Sequence, residues 1–332
     1  MNILIRTDIG GHHGMGHAVR MLVLARQLQA TGVDVSFVTS TPLLQNYVVP
    51  FRCDIGTGLQ AVSTPCQPGD ILIVDTKADD WANDESALWL ARDAGIRVVR
   101  IDHPQATPDS CDLLIGPCAH WDAATVTRLQ AGFGDRFLYG WESVLLDPQV
   151  TRLPPHPYAE RSRRPIVFAA GGSDPTGALQ RMYDWTAAVP TEAPLVFLVG
   201  AKAPMLNPRV GAPRAGRSVV ASFDRGWIRS AGYLVTLFGV TCYEALWWQV
   251  PQSIFSHTPE HAAAGDRLET VTEGCCVYEG DIADQTAATL DAMLRHAEQC
   301  PPTPWEGSSR SWTLDGRGLE RVAARIVALA ST

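Results

Sequence analysis

Short runs of apolar, often β-branched residues alternate along the chain with longer segments in which apolar positions recur at helical spacing. In the first half these runs predict strands at 2–6, 34–39, 71–75, 97–102, 113–116 and 136–140. In the second half they predict strands at 165–170, 195–200, 218–222, 233–238, 252–256 and 275–280. Strands that are apolar along their whole length, with helices between them, are typical of parallel sheets covered on both faces.

The segments between these strands carry the helical pattern. It is clearest at 18–31, and residues 86–94 form another predicted helix that ends at Gly95. In the second half, helices are predicted at 177–188, 241–248, 262–273, 284–297 and 317–330. The sequence therefore predicts an α/β fold with doubly wound sheets.

The alternation is interrupted by PQVTRLPPHPYAERSRRP at 148–165, where three prolines within four residues are incompatible with a helix or a central strand. A chain of 332 residues is also too long for one core. We therefore expect two domains, at 1–150 and 165–332, joined by a linker at about 151–164. Ligands are expected in a cleft between them, at the carboxyl ends of the strands.

Composition narrows the function classes. The chain is 46% hydrophobic and 19% charged, and its formal net charge is −8. This charge disfavours a general surface for nucleic acid or anionic membranes. The eight cysteines form no CxxC pair and are expected to be reduced thiols. No apolar run reaches the roughly 20 residues of a membrane-spanning helix, and without a recognisable leader we expect a cytoplasmic protein.

Two glycine turns in the second half follow predicted strands and precede predicted helices. They are GGSD at 171–174 and FG at 238–239. Backbone N–H groups in such turns, together with the partial positive charge of a helix N-terminus, suit a diphosphate. The alternative for the first turn is an ordinary tight turn capped by Ser173 or Asp174.

The helix after the second turn carries a carboxylate. Glu244 is predicted to lie in its first turn, with Thr241 as the cap. Glu244 can accept both hydroxyls of a ribose, or it can simply pair with its own helix dipole. Trp247 and Trp248 follow on this helix. Adjacent helical residues point about 100° apart, so at least one indole is expected to pack in the core, while the other can stack on a sugar.

The turn after the first strand, GGHHGMGH, is unusually rich in glycine and histidine. His17 starts the following helix, and its imidazole can act as a base near neutral pH. Asp8 can orient that imidazole or can only cap the turn. His13 and His17 are four residues apart, but Gly14 and Gly16 argue against one continuous helix, so a metal site is disfavoured.

Three stretches together resemble a known group of enzymes. IRTDIGGHHGMGHAVRMLVLARQL is similar to the GxGHxxR…LA signature of the UDP-sugar hydrolase of pseudaminic acid biosynthesis. AAGGSDP and GVTCYEAL…VPQSIF resemble that family's two donor-nucleotide blocks. The same layout is shared, more loosely, by the GT-B glycosyltransferases related to the lipid II-forming N-acetylglucosaminyltransferase. The resemblance extends over about the whole chain, and its specific part is the three glycine motifs.

The resemblance implies GT-B architecture, with two Rossmann-like doubly wound domains facing a cleft that holds a UDP-sugar, and with no metal and no cofactor. By position, His17 corresponds to the catalytic histidine and Glu244 to the ribose-binding glutamate. The phosphate-binding residues expected in the three glycine turns are Gly14, Gly16, Gly171, Gly172, Ser173, Gly239, Val240 and Thr241.

The chain departs from the hydrolase pattern on the sugar and acceptor side. Thr76-Lys77 stand where that family has an aromatic residue, and Asp102-His103 replace an aspartate pair. A polar Asn/Gln-type residue is replaced around 258–261. Candidates for contact with the sugar or acceptor are therefore His13, Lys77, His103, Glu260 and His261.

We therefore expect a metal-independent, inverting glycosyltransferase that uses a nucleotide-sugar donor, most simply a UDP-sugar, with His17 as general base for an acceptor hydroxyl. Hydrolysis with water as the nucleophile and non-catalytic nucleotide-sugar binding stay open as alternatives. A dinucleotide oxidoreductase is disfavoured because GGHHGMGH fits GxGxxG poorly and Thr39, rather than an acidic residue, ends the second strand. The class of the acceptor stays open.

Overall fold

A computed structural model describes residues 1–10, 15–56, 66–77, 88–156, 164–186, 189, 191–207, 218–273, 275–299 and 314–331. The chain divides into two compact units. The first comprises Met1–Asp147 and Thr313–Thr332, and the second comprises Pro148–Trp312. The C-terminal segment therefore belongs to the first unit, whereas the sequence analysis placed it in the second domain.

The strands of the first unit form a seven-stranded parallel sheet with the order β3-β2-β1-β4-β5-β6-β7. They are β1 Asn2–Thr7, β2 Asp34–Thr39, β3 Arg52–Ile55, β4 Ile71–Asp75, β5 Arg97–Ile101, β6 Leu113–Gly116 and β7 Phe137–Tyr139. The direction of winding reverses between β1 and β4. The carboxyl ends of these two strands therefore border the switch point, where ligands bind in sheets of this kind.

The strands of the second unit form a six-stranded parallel sheet with the order β10-β9-β8-β11-β12-β13. They are β8 Ile166–Ala169, β9 Leu195–Val199, β10 Ser218–Ser222, β11 Tyr233–Leu237, β12 Gln252–Ser256 and β13 Cys276–Asp281. Here the switch point lies between β8 and β11. The two doubly wound parallel sheets confirm the predicted fold class.

Helices alternate with the strands in both units. They are α1 Gly16–Ala30, α2 Ala123–Phe133, α3 Ala178–Thr186, α4 Arg225–Ser230, α5 Val240–Trp247, α6 Pro259–Thr272, α7 Ala287–Gln299 and α8 Gly318–Ala328, with further helical residues at 88–93 and a single turn at Pro148–Thr151. Short 3₁₀ turns cover Pro42–Asn46, Gly134–Arg136, Trp141–Ser143 and Leu329–Ser331. Among the described helices, none has the length and apolar character that a membrane span requires.

The last helix completes the core of the first unit. Val322 and Ile326 of α8 are buried in the same cluster as Leu24 and Leu28 of α1. Gly318, the first residue of α8, lies against the backbone of Val144. A Cβ at position 318 would clash with the Val144 carbonyl oxygen. The amphipathic pattern predicts this helix from the sequence, but the pattern does not say which core its apolar face joins.

Candidate functional site

The first unit brings four polar side chains together at the switch point of its sheet. His17 and Arg20 lie one turn apart at the start of α1, which follows β1. Asp75 is the last residue of β4, and Asp102 directly follows β5. Thr7 pairs with Asp75 in the sheet register, so the end of β1 and the Asp75 carboxylate lie at the same edge.

Asp75 holds both side chains that come from α1. Its Oδ1 lies 2.7 Å from His17 Nδ1. Arg20 donates to both oxygens of the same carboxylate, with Nε 2.6 Å from Oδ2 and Nη2 2.5 Å from Oδ1. Arg20 also donates from Nη1 to Asp102 Oδ2 at 2.8 Å, and its Nη2 lies 3.0 Å from His17 Nδ1. One guanidinium therefore binds two carboxylates and borders the imidazole.

Burial and charge act together on this group. The Asp75 side chain is fully buried, whereas that of His17 is 21% exposed. Burial alone raises the pKa of Asp75, but the charges of Arg20 and His17 outweigh it and hold that pKa below its usual range. Burial also opposes the charged form of Arg20, and the two carboxylates overcome it, so its pKa is raised. The carboxylate of Asp75 and the guanidinium are thus a charged pair in the interior.

The contact with Asp75 decides what His17 can do. An ionised carboxylate only accepts hydrogen bonds, so Asp75 favours the imidazole tautomer with its proton on Nδ1. Arg20 Nη2 lies farther from Nδ1, at 3.0 Å, than Asp75 Oδ1 does, and it already donates to that Oδ1 at 2.5 Å. Nε2 then carries a lone pair that can accept a proton. A partly exposed imidazole backed by a buried carboxylate has the geometry of a general base.

Asp8 does not orient His17, contrary to one of the two sequence interpretations. Its Oδ1 accepts hydrogen bonds from the Ser40 backbone N–H at 2.7 Å and the Ser40 hydroxyl at 2.8 Å, and its Oδ2 lies 2.6 Å from Arg6 Nη1. Asp8 thus fixes the turn after β2, whereas the alternative interpretation had it cap the turn after β1. Asp75 occupies the role that had been assigned to Asp8. Its sequence signal was a carboxylate at the end of the apolar run ILIVD.

Asp102 has a left-handed backbone with a φ of 58°, which is uncommon for a residue other than glycine. Burial is the largest single effect and raises the pKa of its carboxyl, but the neighbouring charges, that of Arg20 first, together outweigh it and lower this pKa to about 2. Cys118 and His120 follow β6, and their side chains face Asp102. The Cys118 sulfur, an imidazole nitrogen of His120 and a carboxylate oxygen of Asp102 all lie within 4.8 Å of one another. Burial lowers the pKa of His120 to about 4.

Of the other site residues predicted in the first unit, the structure describes the positions of Gly16 and Lys77 but not those of His13 and Gly14. Gly16 is the first residue of α1, at the edge where the phosphate contact was expected. Lys77 lies just beyond the carboxyl end of β4, near the four-residue group. His13 and Gly14 lie outside the described residues, so their predicted roles stay predictions.

His103 lies in the interior rather than at the surface of the site. Its side chain is buried, and burial together with the Arg100 charge lowers its pKa to about 3. This placement does not support the predicted contact of His103 with a sugar. The sequence analysis did not name Arg20 as a site residue. Its position offered a signal, because Arg20 lies three residues after His17 and therefore on the same face of the helix.

In the second unit, two turns border the switch point. The turn at 171–173 follows β8, and Gly239 follows β11, with Phe238 between the strand and the glycine. Gly171 has a φ of 76°, which favours glycine. Gly200 packs under this turn so closely that a Cβ would clash with the carbonyl oxygens of Gly171 and Gly172. Because β8 and β11 are paired in parallel, both turns lie at the same edge of the sheet.

The capping residues of the two helices that follow these turns, α3 and α5, agree only partly with the sequence prediction. Asp174, rather than Ser173, caps α3, and its two oxygens accept from the first two backbone N–H groups of that helix at 2.7 and 3.0 Å. Gly239 is the N-cap of α5, so the prediction that Thr241 caps this helix is wrong. Thr241 instead lies within the first turn of α5.

Glu244 is held by a partner that the sequence did not indicate. It lies on the second turn of α5, not the first, and its side chain is only 3% exposed. Arg225, the first residue of α4, donates from Nε to Glu244 Oε1 at 2.9 Å. The charge partner of this buried carboxylate is therefore a guanidinium rather than its own helix dipole.

Aromatic and imidazole rings cluster beside the turn that follows β11. The His257 and His261 rings meet edge to face with centroids 4.7 Å apart, and His261 lies 5.4 Å from the Phe238 ring. Thr258 caps α6 by accepting from the His261 backbone N–H at 3.2 Å. Glu260 is exposed in the first turn of α6. The structure thus brings His261 to the edge of the predicted donor site and leaves Glu260 at the surface of this unit.

The two adjacent tryptophans at the end of α5, Trp247 and Trp248, are packing residues. Trp248 is 1% exposed, and its indole N–H donates to the Leu153 carbonyl oxygen at 3.1 Å. Trp247 packs, partly buried, against the same apolar cluster. The core interpretation is therefore correct for Trp248.

No protein-family model and no curated protein sequence matches the chain. Solved structures match its fold. The glycotransferase of kitacinnamycin has a TM-score of 0.60 at 15% identity, with 99% of this chain and 95% of that chain covered. UGT89C1 of Arabidopsis thaliana, complexed with UDP, has a TM-score of 0.63 at 13% identity, with 98% and 99% covered. Glycosyltransferase VinC, in complex with dTDP, has a TM-score of 0.55 at 13% identity, with 100% of both chains covered.

Likeness at these identities establishes the fold. The two parallel-sheet α/β units of this chain are those of the GT-B glycosyltransferase fold. Because one fold hosts many functions, the activity has to be argued from the side chains at the two switch points.

Proposed function

We propose that the protein is an inverting glycosyltransferase that uses a nucleoside diphosphate sugar as donor, with UDP as the nucleotide and His17 as the general base. The observation that carries this proposal is the 2.7 Å contact between His17 and the buried carboxylate of Asp75 at a sheet switch point. A protein that only binds a nucleotide sugar has no need of an imidazole held in this way. The GT-B fold supports the same class of reaction.

Donor binding is assigned to the second unit. Backbone N–H groups of the turn at 171–173, of Val240 and of Thr241 are suited to the diphosphate, and the N-terminus of α5 adds partial positive charge. The Glu244 carboxylate is suited to accept hydrogen bonds from the ribose hydroxyls. Arg225 supplies the counter-charge that makes a buried carboxylate tolerable at this position.

In the proposed step, the oxygen of an acceptor hydroxyl forms a bond to the anomeric carbon while the bond from that carbon to the diphosphate breaks. The hydroxyl proton passes to His17 Nε2, and the bonding electron pair leaves with the nucleoside diphosphate. A single displacement of this kind inverts the anomeric centre. Negative charge grows on the leaving diphosphate, where the backbone N–H donors stabilise it, so the step needs no added metal.

The proposal is tested by incubating the protein with a panel of UDP- and dTDP-sugars, with and without sugar, phenol and polyketide acceptors, and with EDTA throughout. Mass spectrometry should find a glycoside together with an equal amount of nucleoside diphosphate. Nucleotide binding without turnover for any donor and acceptor would instead support a non-catalytic nucleotide-sugar binder.

Hydrolysis is the second candidate, because the GxGHxxR pattern is complete and includes the Arg20 that binds Asp75. Water would then take the place of the acceptor hydroxyl in the same step. Stoichiometric release of free sugar from a UDP-sugar without any acceptor would favour the hydrolase.

A further inference from the structure

A side-chain cluster next to the His17–Asp75 pair shares Asp102 with the candidate site and adds two side chains that take no part in the proposed transfer. It consists of Asp102, Cys118 and His120, whose ligand atoms lie within 4.8 Å of one another. Asp102 comes from the carboxyl end of β5, and the other two come from the loop after β6, so two paired strands deliver the three groups to one place.

We propose that this cluster is a binding site for a thiophilic divalent cation such as Zn²⁺, and that the bound ion competes with Arg20 for Asp102. A thiolate, an imidazole and a carboxylate are the three ligand types that Zn²⁺ combines in proteins, and three protein ligands leave the fourth position to water. Thiolate and imidazole are softer ligands than oxygen, so this set disfavours Mg²⁺ and Ca²⁺, which prefer oxygen ligands.

The three ligand atoms have to move only slightly closer together to coordinate one metal ion. Metal–ligand distances of about 2.0–2.3 Å in a tetrahedron put ligand atoms roughly 3.3–3.8 Å apart. The upper limit of 4.8 Å in the structure can be closed by side-chain rotation. Burial and the neighbouring Asp102 charge raise the pKa of the Cys118 thiol well above its usual range, so the metal itself has to displace the thiol proton, as metals do when they bind cysteine. Binding releases the thiol proton to solvent as the sulfur–metal bond forms.

The charges at the site also favour a cation. Arg20 is the guanidinium that hydrogen-bonds two carboxylates, Asp75 and Asp102. With the imidazoles neutral, this hydrogen-bonded group carries one excess negative charge. A divalent cation that binds with loss of the Cys118 proton adds one net positive charge and makes the group neutral.

Coordination of Asp102 would weaken its 2.8 Å hydrogen bond to Arg20, because the carboxylate would share its charge with the metal. Arg20 also orders the Asp75 carboxylate that contacts His17. The expected consequence is inhibition, and this part of the inference rests on the proposed transferase function. The binding itself does not depend on that function.

Titration of the whole, metal-stripped protein with Co²⁺ tests the site directly, because a thiolate ligand gives cobalt a near-ultraviolet charge-transfer band. The wild-type protein should develop this band with one equivalent of Co²⁺ and lose it on addition of Zn²⁺. Cys118→Ser should abolish the band, and His120→Gln should weaken Co²⁺ binding at least about tenfold. The matched control is Cys111→Ser, which removes another buried free thiol of the same unit and should leave the band unchanged.

A wild-type protein without the band, or a band that survives in folded Cys118→Ser, would overturn the proposal. His120→Gln, at a partly buried side chain, provides an independent test if Cys118→Ser fails to fold. Zn²⁺ should also inhibit transfer by the wild type but not by Cys118→Ser. If no donor is turned over at all, the proposed function fails while the cobalt result still decides the site.

Discussion

Replacement of Asp75 by asparagine is the sharpest perturbation of the site. The change preserves the size of a fully buried side chain and removes its charge. It breaks the bidentate pairing with Arg20 and takes away the acceptor that favours the Nδ1–H tautomer of His17. Asparagine can also present its amide N–H to Nδ1, which favours the tautomer that has no lone pair on Nε2.

The expected loss of kcat follows from the role of Asp75 as the carboxylate that orients His17. Removing the carboxylate that orients a histidine base costs about 10²–10⁴-fold in kcat where this has been measured in enzymes with the same arrangement. We expect a loss in that range for Asp75→Asn. Binding of UDP should be unchanged, because its proposed contacts lie in the second unit. The stability loss should be about 2 kcal/mol, less than for a fully stranded buried charge, because Arg20 keeps Asp102 as a partner.

The assay is steady-state release of nucleoside diphosphate from the donor found in the panel, with the Kd for UDP measured by calorimetry and stability by urea unfolding. Asp8→Asn is the matched control. Asp8 is a buried carboxylate of the same unit, paired with Arg6 at 2.6 Å, and it does not contact His17. It should lose stability and keep kcat near that of the wild type. A near-normal kcat in Asp75→Asn, or an equal loss in Asp8→Asn, would refute the reasoning.

Three further predictions concern binding, packing and pH. Glu244→Gln should weaken UDP binding about tenfold by calorimetry, because the ribose loses an ionised acceptor, and should weaken 2′-deoxy-UDP binding less; equal losses would speak against the ribose role. Gly318→Ala should cost about 1–3 kcal/mol in urea unfolding, because a Cβ meets the Val144 backbone, and an unchanged midpoint would contradict this packing. Asp102 has a pKa lowered to about 2, so it stabilises the fold above the unfolded pKa of about 4 and loses this contribution as pH falls towards 2. Urea unfolding at pH 6 and pH 3 should therefore show a larger acid loss for the wild type than for Asp102→Asn.

Most of the fold could be predicted from local patterns. Apolar runs mark strands such as β4 and β8, which are buried on both faces, because a continuous apolar run is what such a strand requires. The edge strand β3 was missed for the opposite reason, since RCDI is mostly only partly buried or exposed and has no apolar run. The assignment of α8 to the first unit was also missed, because an amphipathic pattern does not name the partner of its apolar face.

The site was predictable where its residues stand at strand ends or helix starts, and not where it depends on distant partners. His17 and the glycine turns have local signals. The pairing of His17 with Asp75 spans 58 residues, and that of Arg225 with Glu244 spans 19. Such pairs are created by strand order, which brings separate carboxyl ends to one edge. The sequence analysis offered only Asp8 as a partner of His17, because Asp8 is near in sequence, whereas the carboxylate that contacts His17 is that of the distant Asp75.

The most direct test of the proposed mechanism is the initial rate of nucleoside diphosphate release with donor and acceptor, measured side by side for wild type and His17→Ala. Loss of the general base predicts a rate at least about 10²-fold lower in His17→Ala, with the Kd for UDP unchanged. A His17→Ala protein that transfers sugar at the wild-type rate would contradict the role of His17 and, with it, the proposed mechanism.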